Sequence, residues 1–208
     1  MKTKHLVLIL ILILYGETVM AQNKNIIANN AEDVCPIKIG TEIPNTIVRT
    51  IDNKEISLKE MIGKQKSIII FYRGGWCPYC NLHLSELQSI EADLIKLGYK
   101  LIAISMDTPE NLSATIDKHN LKYELYSDSK AEACKAFGIA FTVTNDYVNS
   151  LKSYNMDLEE SSGEKHHILP VPSVFLTDEN GIIKFEYVNP NYKERISGKL
   201  LLEVSKLY

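Results

Sequence analysis

Two cysteines three residues apart, Cys77 and Cys80, stand where an apolar run gives way to an amphipathic one. This junction constrains the chain more than any other feature. The run Ser67 to Tyr72 (SIIIFY) is Ile-rich, short and free of charge, as a buried parallel strand is. Beyond it, Leu84, Leu87, Ile90, Leu94 and Leu97 recur three or four residues apart, the spacing of a helix with one apolar face. A strand feeding such a helix places Cys77 at the helix N-terminus, where unpaired backbone N–H groups and the macrodipole favour a thiolate. Thiolate is the nucleophilic form, so Cys77 is predicted to be the reactive thiol. Pro78 suits the first helical position, which needs no N–H. Cys80 lies one turn on, within reach of a disulfide with Cys77.

A chain of 208 residues is long enough for one α/β domain with a sizeable core. Its first residues read as a secretory signal: Lys2, Lys4 and His5, an apolar run Leu6 to Tyr15, then Val19-Met20-Ala21 before Gln22. Val19 and Ala21 suit signal peptidase, and the apolar run is about half the length needed to span a bilayer. The expectation is an exported protein, periplasmic or secreted, with 1–21 as signal peptide. The formal charge of −3 becomes more negative once Lys2, Lys4 and Glu17 are removed, which argues against nucleic acid or an anionic membrane as partner. Four cysteines are too few to staple an exported scaffold of this size, so they point to reactivity.

Residues 22–38 are read as a mobile leader, because Gln22 to Ala31 are rich in Asn and poor in large apolar side chains. A short β segment at Ile47 to Thr50 and a turn at Asp52-Asn53 lead into Glu55 to Leu58. After the Cys-x-x-Cys helix, Lys100 to Met106 reads as a second buried strand, followed by a helix from Pro109 to about His119. Tyr123 to Tyr126 is a strand candidate, and a helix from about Lys130 to Phe137 stops at Gly138. Asn145 to His167 reads as a polar insertion with one irregular helix. Ser173 to Thr177, the turn Asp178-Glu179-Asn180-Gly181 and Ile182 to Tyr187 form a hairpin signal. A last helix, Gly198 to about Leu207, would use Leu200, Leu201, Val204 and Leu207 as its apolar face. The order predicts an α/β, thioredoxin-like fold over 39–208: a central mixed sheet flanked by helices, with N-terminal strand additions.

The stretch Tyr72-Arg73-Gly74-Gly75-Trp76-Cys77-Pro78-Tyr79-Cys80-Asn81 resembles the active-site signature of a peroxiredoxin-like branch of the alkyl hydroperoxide reductase and thiol-specific antioxidant family. The resemblance continues through Gly98-Tyr99, Asp107-Thr108-Pro109, Ser127-Asp128-Ser129, Phe137-Gly138 and Val171-Pro172-Ser173. It ends with Val188-Asn189-Pro190-Asn191-Tyr192-Lys193-Glu194-Arg195 and covers about Ile39 to Leu207. It implies a thiol-dependent peroxidase in which Cys77 attacks the O–O bond of a hydroperoxide and becomes a sulfenic acid. Cys80 would condense with it, and a thioredoxin-like dithiol donor would restore the pair. Arg73 would supply positive potential near the thiolate. Typical members carry Thr or Ser three residues before the peroxidatic cysteine and Pro seven before it; here Gly74 and Ile70 stand there.

Other readings stay beside this one. A Cys-x-x-Cys also belongs to half of a zinc site, but Cys35 and Cys134 are isolated and His166-His167 is not a spaced ligand pair; no metal is expected. No haem, flavin or nicotinamide fingerprint appears, so no cofactor is expected. Pro172, just before a strand, reads as a cis-proline beside the disulfide. Trp76 is expected to pack by the site, His83 to be a surface helix histidine, and Arg195 to be a solvated charge or an ion-pair partner. Cys134 is expected to be a buried apolar thiol and Cys35 an incidental one. The alternative function is an exported thiol-disulfide oxidoreductase acting on protein cysteines, and a third is a binding module with a structural disulfide.

Overall fold

The computed structural model describes residues 27–119 and 121–208; the expected signal segment lies outside them. Among the described residues the chain runs β1 (Ile47–Arg49), β2 (Glu55–Ser57), α1 (Leu58–Ile62), β3 (Ser67–Phe71), α2 (Pro78–Lys96), β4 (Lys100–Ser105), α3 (Pro109–His119) and β5 (Glu124–Ser127). It continues with α4 (Glu132–Ala136), β6 (Ala140–Thr142), α5 (Asn145–Ser153), α6 (Leu158–Ser162), β7 (Ile168–Pro170), β8 (Ser173–Thr177), β9 (Ile183–Val188) and α7 (Gly198–Ser205). Seven strands form one mixed sheet in the order β2-β1-β5-β4-β3-β8-β9. The mixed sheet with added N-terminal strands is the one expected from the sequence.

The uncharged run SIIIFY supplies β3, an interior strand next to the central β4. All five residues of β3 are buried, paired in parallel with β4 (Ile69 opposite Ile102) and antiparallel with β8 (Ile69 opposite Phe175). Alternation along the strand sends Ile69 and Phe71 to one face, Ile68, Ile70 and Tyr72 to the other. On the first face Phe71, Phe137 and Phe175 meet at ring separations of 4.8 to 6.2 Å. The second face is covered by Leu84, Leu87 and Leu94 of α2 and Leu201 of α7. The carboxyl ends of the parallel strands β3, β4 and β5 open on one edge, where open α/β sheets place their ligand sites.

Several expectations are corrected. From Ile27 onward the segment read as a leader is attached to the domain. Ala28 donates to the Ala140 carbonyl and accepts from Thr142, and the Ile37 N–H donates to Phe137 O. The polar stretch after β6 holds two short helices, not one, each with a side-chain cap: Thr144 for α5 and Asp157 for α6. The strands flanking it, β6 and β7, form a separate antiparallel pair, too short to be seen as periodicity. The helix expected from Lys130 starts later, because Ala131 adopts a left-handed φ of 61°. In α7 Leu200 is exposed while Leu201 is buried, and Leu207, also exposed, lies beyond the helix. The helix ends at Ser205, and its buried stripe runs through Leu201 and Ser205.

Gly138 holds the N-terminal attachment. Its φ is +68°, and a Cβ there would stand 2.1 Å from the Cys35 carbonyl oxygen. Gly138→Ala is expected to lose about 2 kcal/mol or more in urea unfolding, from the backbone conformation and the displaced Cys35 segment. A loss below about 1 kcal/mol would mean that the segment does not press on this turn.

Candidate active site

β3 delivers the chain to the sheet edge and Arg73 to Trp76 turn it into α2, with Cys77 as N-cap and Pro78 in the first turn. Cys77 N–H donates to Gly74 O at 3.1 Å, while Cys77 O accepts from Cys80 and Asn81 at 3.1 Å each. The turn is thus closed by its own backbone. Both thiols are free and almost out of reach of solvent, Cys77 with 1% and Cys80 with 0% of its surface exposed.

Burial alone raises a thiol, yet Cys77 is lowered from 9.0 to about 6. The largest cause is a hydrogen bond from the Cys80 thiol; the Arg73 guanidinium, the Cys80 backbone N–H and Arg195 add to it. The same contact works in reverse on Cys80, which is pushed up by burial first and then by Cys77. At neutral pH the pair therefore holds an anion on Cys77 and a proton on Cys80.

Arg73 itself is buried, with 3% exposure. Three rings surround its guanidinium: Tyr192 at 4.3 Å, Trp76 at 5.0 Å and Tyr147 at 5.5 Å from ring centroid to Cζ. Nη2 also donates to the Tyr147 hydroxyl. Trp76 thus packs beside the site, as expected, and does so on the cation. A cleft of about 280 Å³ leads to Arg73, walled by Pro172, Tyr147, Tyr192, Pro190 and Phe141. Pro172 is therefore at the site, but no cis peptide occurs among the described residues. Pro172 is trans and stands immediately before Ser173, the first residue of β8 paired with β3.

Beneath the turn lies Asp107, just past the end of β4 and 2% exposed. Its Oδ2 accepts from Gly75 N–H at 2.7 Å and from the Ser105 hydroxyl at 3.0 Å. Burial raises this carboxyl from 3.8 to about 7, against the pull of those two donors. Gly74 explains the missing hydroxyl. A Cβ at Gly74 would stand 2.2 Å from Trp76 Nε1 and 2.7 Å from Asp107 Oδ1, so the indole fills the place a Thr or Ser would need.

His83 is corrected as well: it is 5% exposed, facing Ile196 and Arg195, and burial lowers it to about 4. Arg195 enters no ion pair with a carboxylate among the described residues; its Nη2 lies 3.6 Å from Cys80 Sγ. Cys134 sits in the other core cluster, its thiol donating to Ala131 O at 3.5 Å, and Cys35 is exposed. Neither joins the pair. Tyr147 has no signal in the sequence, and Asp107 and Tyr192 enter there only within the segments that carry the family resemblance, with no role of their own.

Two outcomes are expected. Ultraviolet titration of the thiolate should give a midpoint near 6 that vanishes in Cys77→Ser and rises by about one unit or more in Cys80→Ser, where the main hydrogen bond is lost. An unmoved midpoint in Cys80→Ser would deny that bond its role. For Asp107, the folded form keeps its proton where the unfolded chain has lost it, so stability falls as pH rises from about 4 through about 7. At about 1.4 kcal/mol per tenfold this costs up to about 4 kcal/mol by pH 8. Asp107→Asn, which keeps an acceptor, should gain stability over the parent at pH 8 and lose that advantage near pH 4. Equal pH slopes in the two proteins would refute the buried acid.

Comparison with known proteins adds the family. Peroxiredoxin Bcp of Escherichia coli (strain K12) is 30% identical over 104 residues, which span 50% of this chain and 66% of that protein. The thiol-disulfide oxidoreductase ResA of Bacillus thuringiensis (strain Al Hakam) is 22% identical over 165 residues, 79% of this chain and 78% of that one. Reduced Prx3 of Vibrio vulnificus, solved in complex with H2O2, shares the fold with a TM-score of 0.67 at 15% identity, over 81% of this chain and 99% of that one. The AhpC/TSA family model matches residues 39–186. With that match across most of its length, the chain belongs to the AhpC/TSA family, as a peroxiredoxin-like protein of thioredoxin-like fold.

Proposed function

We propose that this protein is a thiol-dependent peroxidase in which Cys77 is the nucleophile and Cys80 the resolving thiol. The observation that carries the reading is a thiolate near pKa 6 that is only 1% exposed. A small hydroperoxide can approach by the Arg73 cleft, whereas a protein partner reaches a sulfur so covered only when the site opens, which this reading requires for regeneration alone. The Cys77 thiolate attacks one peroxide oxygen, the O–O bond breaks, and the departing alkoxide or hydroxide takes up a proton as Arg73 offsets its charge. The Cys80 thiol then condenses with the Cys77 sulfenic acid to give the disulfide and water. A thioredoxin-like dithiol donor would return the pair to thiols; exposed Leu82 and Tyr79 give such a partner an apolar landing beside Cys80. Export is proposed on the Lys2 to Ala21 pattern alone.

A second reading, thiol-disulfide exchange on protein cysteines, is favoured by the Cys-x-x-Cys spacing and by Gly74, where the indole of Trp76 stands in place of a hydroxyl. Stopped-flow oxidation by hydrogen peroxide separates the two. The reduced protein should oxidise far faster than an ordinary thiol, about tenfold slower at pH 5 than at pH 7 as the thiolate is protonated. Cys77→Ser should abolish the reaction and Cys80→Ser should accumulate sulfenate. Oxidation at the rate of an unperturbed thiol would transfer the assignment to disulfide exchange.

A further inference from the structure

Cys80 raises a difficulty that the reaction must overcome. Resolution needs its thiolate, yet it is fully buried and its proton is held by burial and by the anion on Cys77. The groups facing it come from several elements: Cys77 at the start of its own helix, Tyr72 and the Arg73 backbone N–H beyond β3, Asp107 beyond β4, and Arg195 on the strap between β9 and α7, with His83 of α2 beside that arginine. Tyr72 and Asp107 oppose a second anion, and His83 is neutral. Arg195 is the one cation in this set. Its Nη1 is fixed by the Tyr192 and Glu194 carbonyls, its Nη2 points at Cys80 Sγ from 3.6 Å, and its buried Nε has no partner.

We propose that Arg195 is a catalytic residue of the resolving step, holding the Cys80 thiolate by a charge-assisted contact once the Cys77 anion is gone. Arg73 and Arg195 then divide the work. While Cys77 is a thiolate, the hydrogen bond from Cys80 and Arg73 satisfy it. Conversion to sulfenic acid removes that negative charge, and with it the cause that, after burial, holds the Cys80 proton. Cys80 then loses its proton, its sulfur attacks the Cys77 sulfur, the S–O bond breaks, and the departing hydroxide leaves with that proton as water. The contact fits a guanidinium, whose planar fork can keep two donors on backbone carbonyls and a third on sulfur. The strap that carries Arg195 also carries Tyr192 over Arg73 and edge-on to Tyr79, ring centroids 5.7 Å apart, so both cations are set by one segment.

This inference rests on the reading of Cys80 as resolving thiol, and its test is built not to depend on peroxide. In a Cys35→Ser background, methyl methanethiosulfonate converts Cys77 to its S-methyl mixed disulfide. Attack by Cys80 then forms the Cys77–Cys80 disulfide and releases methanethiol, followed by acid quench and mass. Arg195→Met should slow this step about tenfold at pH 7 and move the midpoint of its pH profile upward, since one unit of thiol pKa is a tenfold change in thiolate. Arg195→Lys, which keeps the charge but not the fork, should recover part of the rate, while formation of the Cys77 adduct changes less than about threefold in either variant. The same variants oxidised by hydrogen peroxide should lose sulfenate slowly, with its formation at pH 7 slowed less than about threefold because Arg195 is the last of the causes that lower Cys77. An unchanged midpoint in Arg195→Met overturns the proposal. So does an Arg195→Lys as slow as Arg195→Met, which would make the residue a packing element of the strap. Dependence on Arg195 in a protein that peroxide does not oxidise would keep this inference and remove the peroxidase reading.

Discussion

The site depends on one uncompensated charge. Arg73 carries its guanidinium into the interior with no carboxylate within ion-pair distance among the described residues, a placement that costs free energy unless something answers the charge. Tyr192, Trp76 and Tyr147 answer it in part with their ring faces, and the Cys77 thiolate answers the rest. These partners come from the strap before α7, from the turn before α2 and from α5. Three segments far apart in sequence are therefore held at the same sheet edge by one cation. The dependence is mutual, since the same cation helps keep Cys77 ionised inside a nearly closed site.

Around the two sulfurs, charge is arranged in layers. Arg73 in the turn and Arg195 on the strap bring positive charge, while Asp107 lies beneath the turn, where burial raises its carboxyl to about 7 and leaves it only partly ionised at neutral pH. A permanently ionised acid in that position would raise both thiols and draw the arginines away. The Ser105 hydroxyl and the Gly75 N–H bind Asp107 without forcing it to ionise fully. Asp107 so anchors the Gly74-Gly75 backbone to the end of β4 while adding little negative field. A single sulfur-to-sulfur hydrogen bond then splits the pair, lowering Cys77 and raising Cys80. On the proposed reaction, that asymmetry sets which sulfur reacts first.

Local patterns carried most of the fold. The apolar SIIIFY run, the Leu spacing of α2 and the Asp178 to Gly181 turn each encode their element within a dozen residues, and each appears where it was expected. The N-terminal attachment, β6 and β7 have no such local code. They are three-residue pairings stabilised by partners more than a hundred residues away in the case of Ala28 and Thr142, so periodicity passes over them. At the site, Cys77, Cys80, Arg73 and Trp76 were legible because they share one turn. Asp107, Tyr147, Tyr192 and the Cys80 contact of Arg195 were not, because nothing in a single sequence brings residues 107, 147 and 192–195 to residue 77. His83 was misread for a related reason: its helical position faces α7 and the strap, which spacing within α2 does not reveal.

The departure at Gly74 follows from the same packing. In this chain Trp76 folds its indole back across Gly74 so that its other face can lie against Arg73. A side chain at position 74 and a ring at that depth exclude each other, because the Cβ and Nε1 would be 2.2 Å apart. The hydroxyl common in typical members and the aromatic cage around Arg73 are therefore alternatives, and this sequence carries the cage. On the proposed reaction, the burden of holding peroxide oxygen shifts from a hydroxyl to a guanidinium that rings have fixed in place. A cation so confined loses little further freedom on binding, which is the advantage a preorganised donor has over a mobile one. It also explains why the cage must reach so far along the chain: Arg73 can serve both the thiolate and the incoming oxygen only while α5 and the strap hold it still.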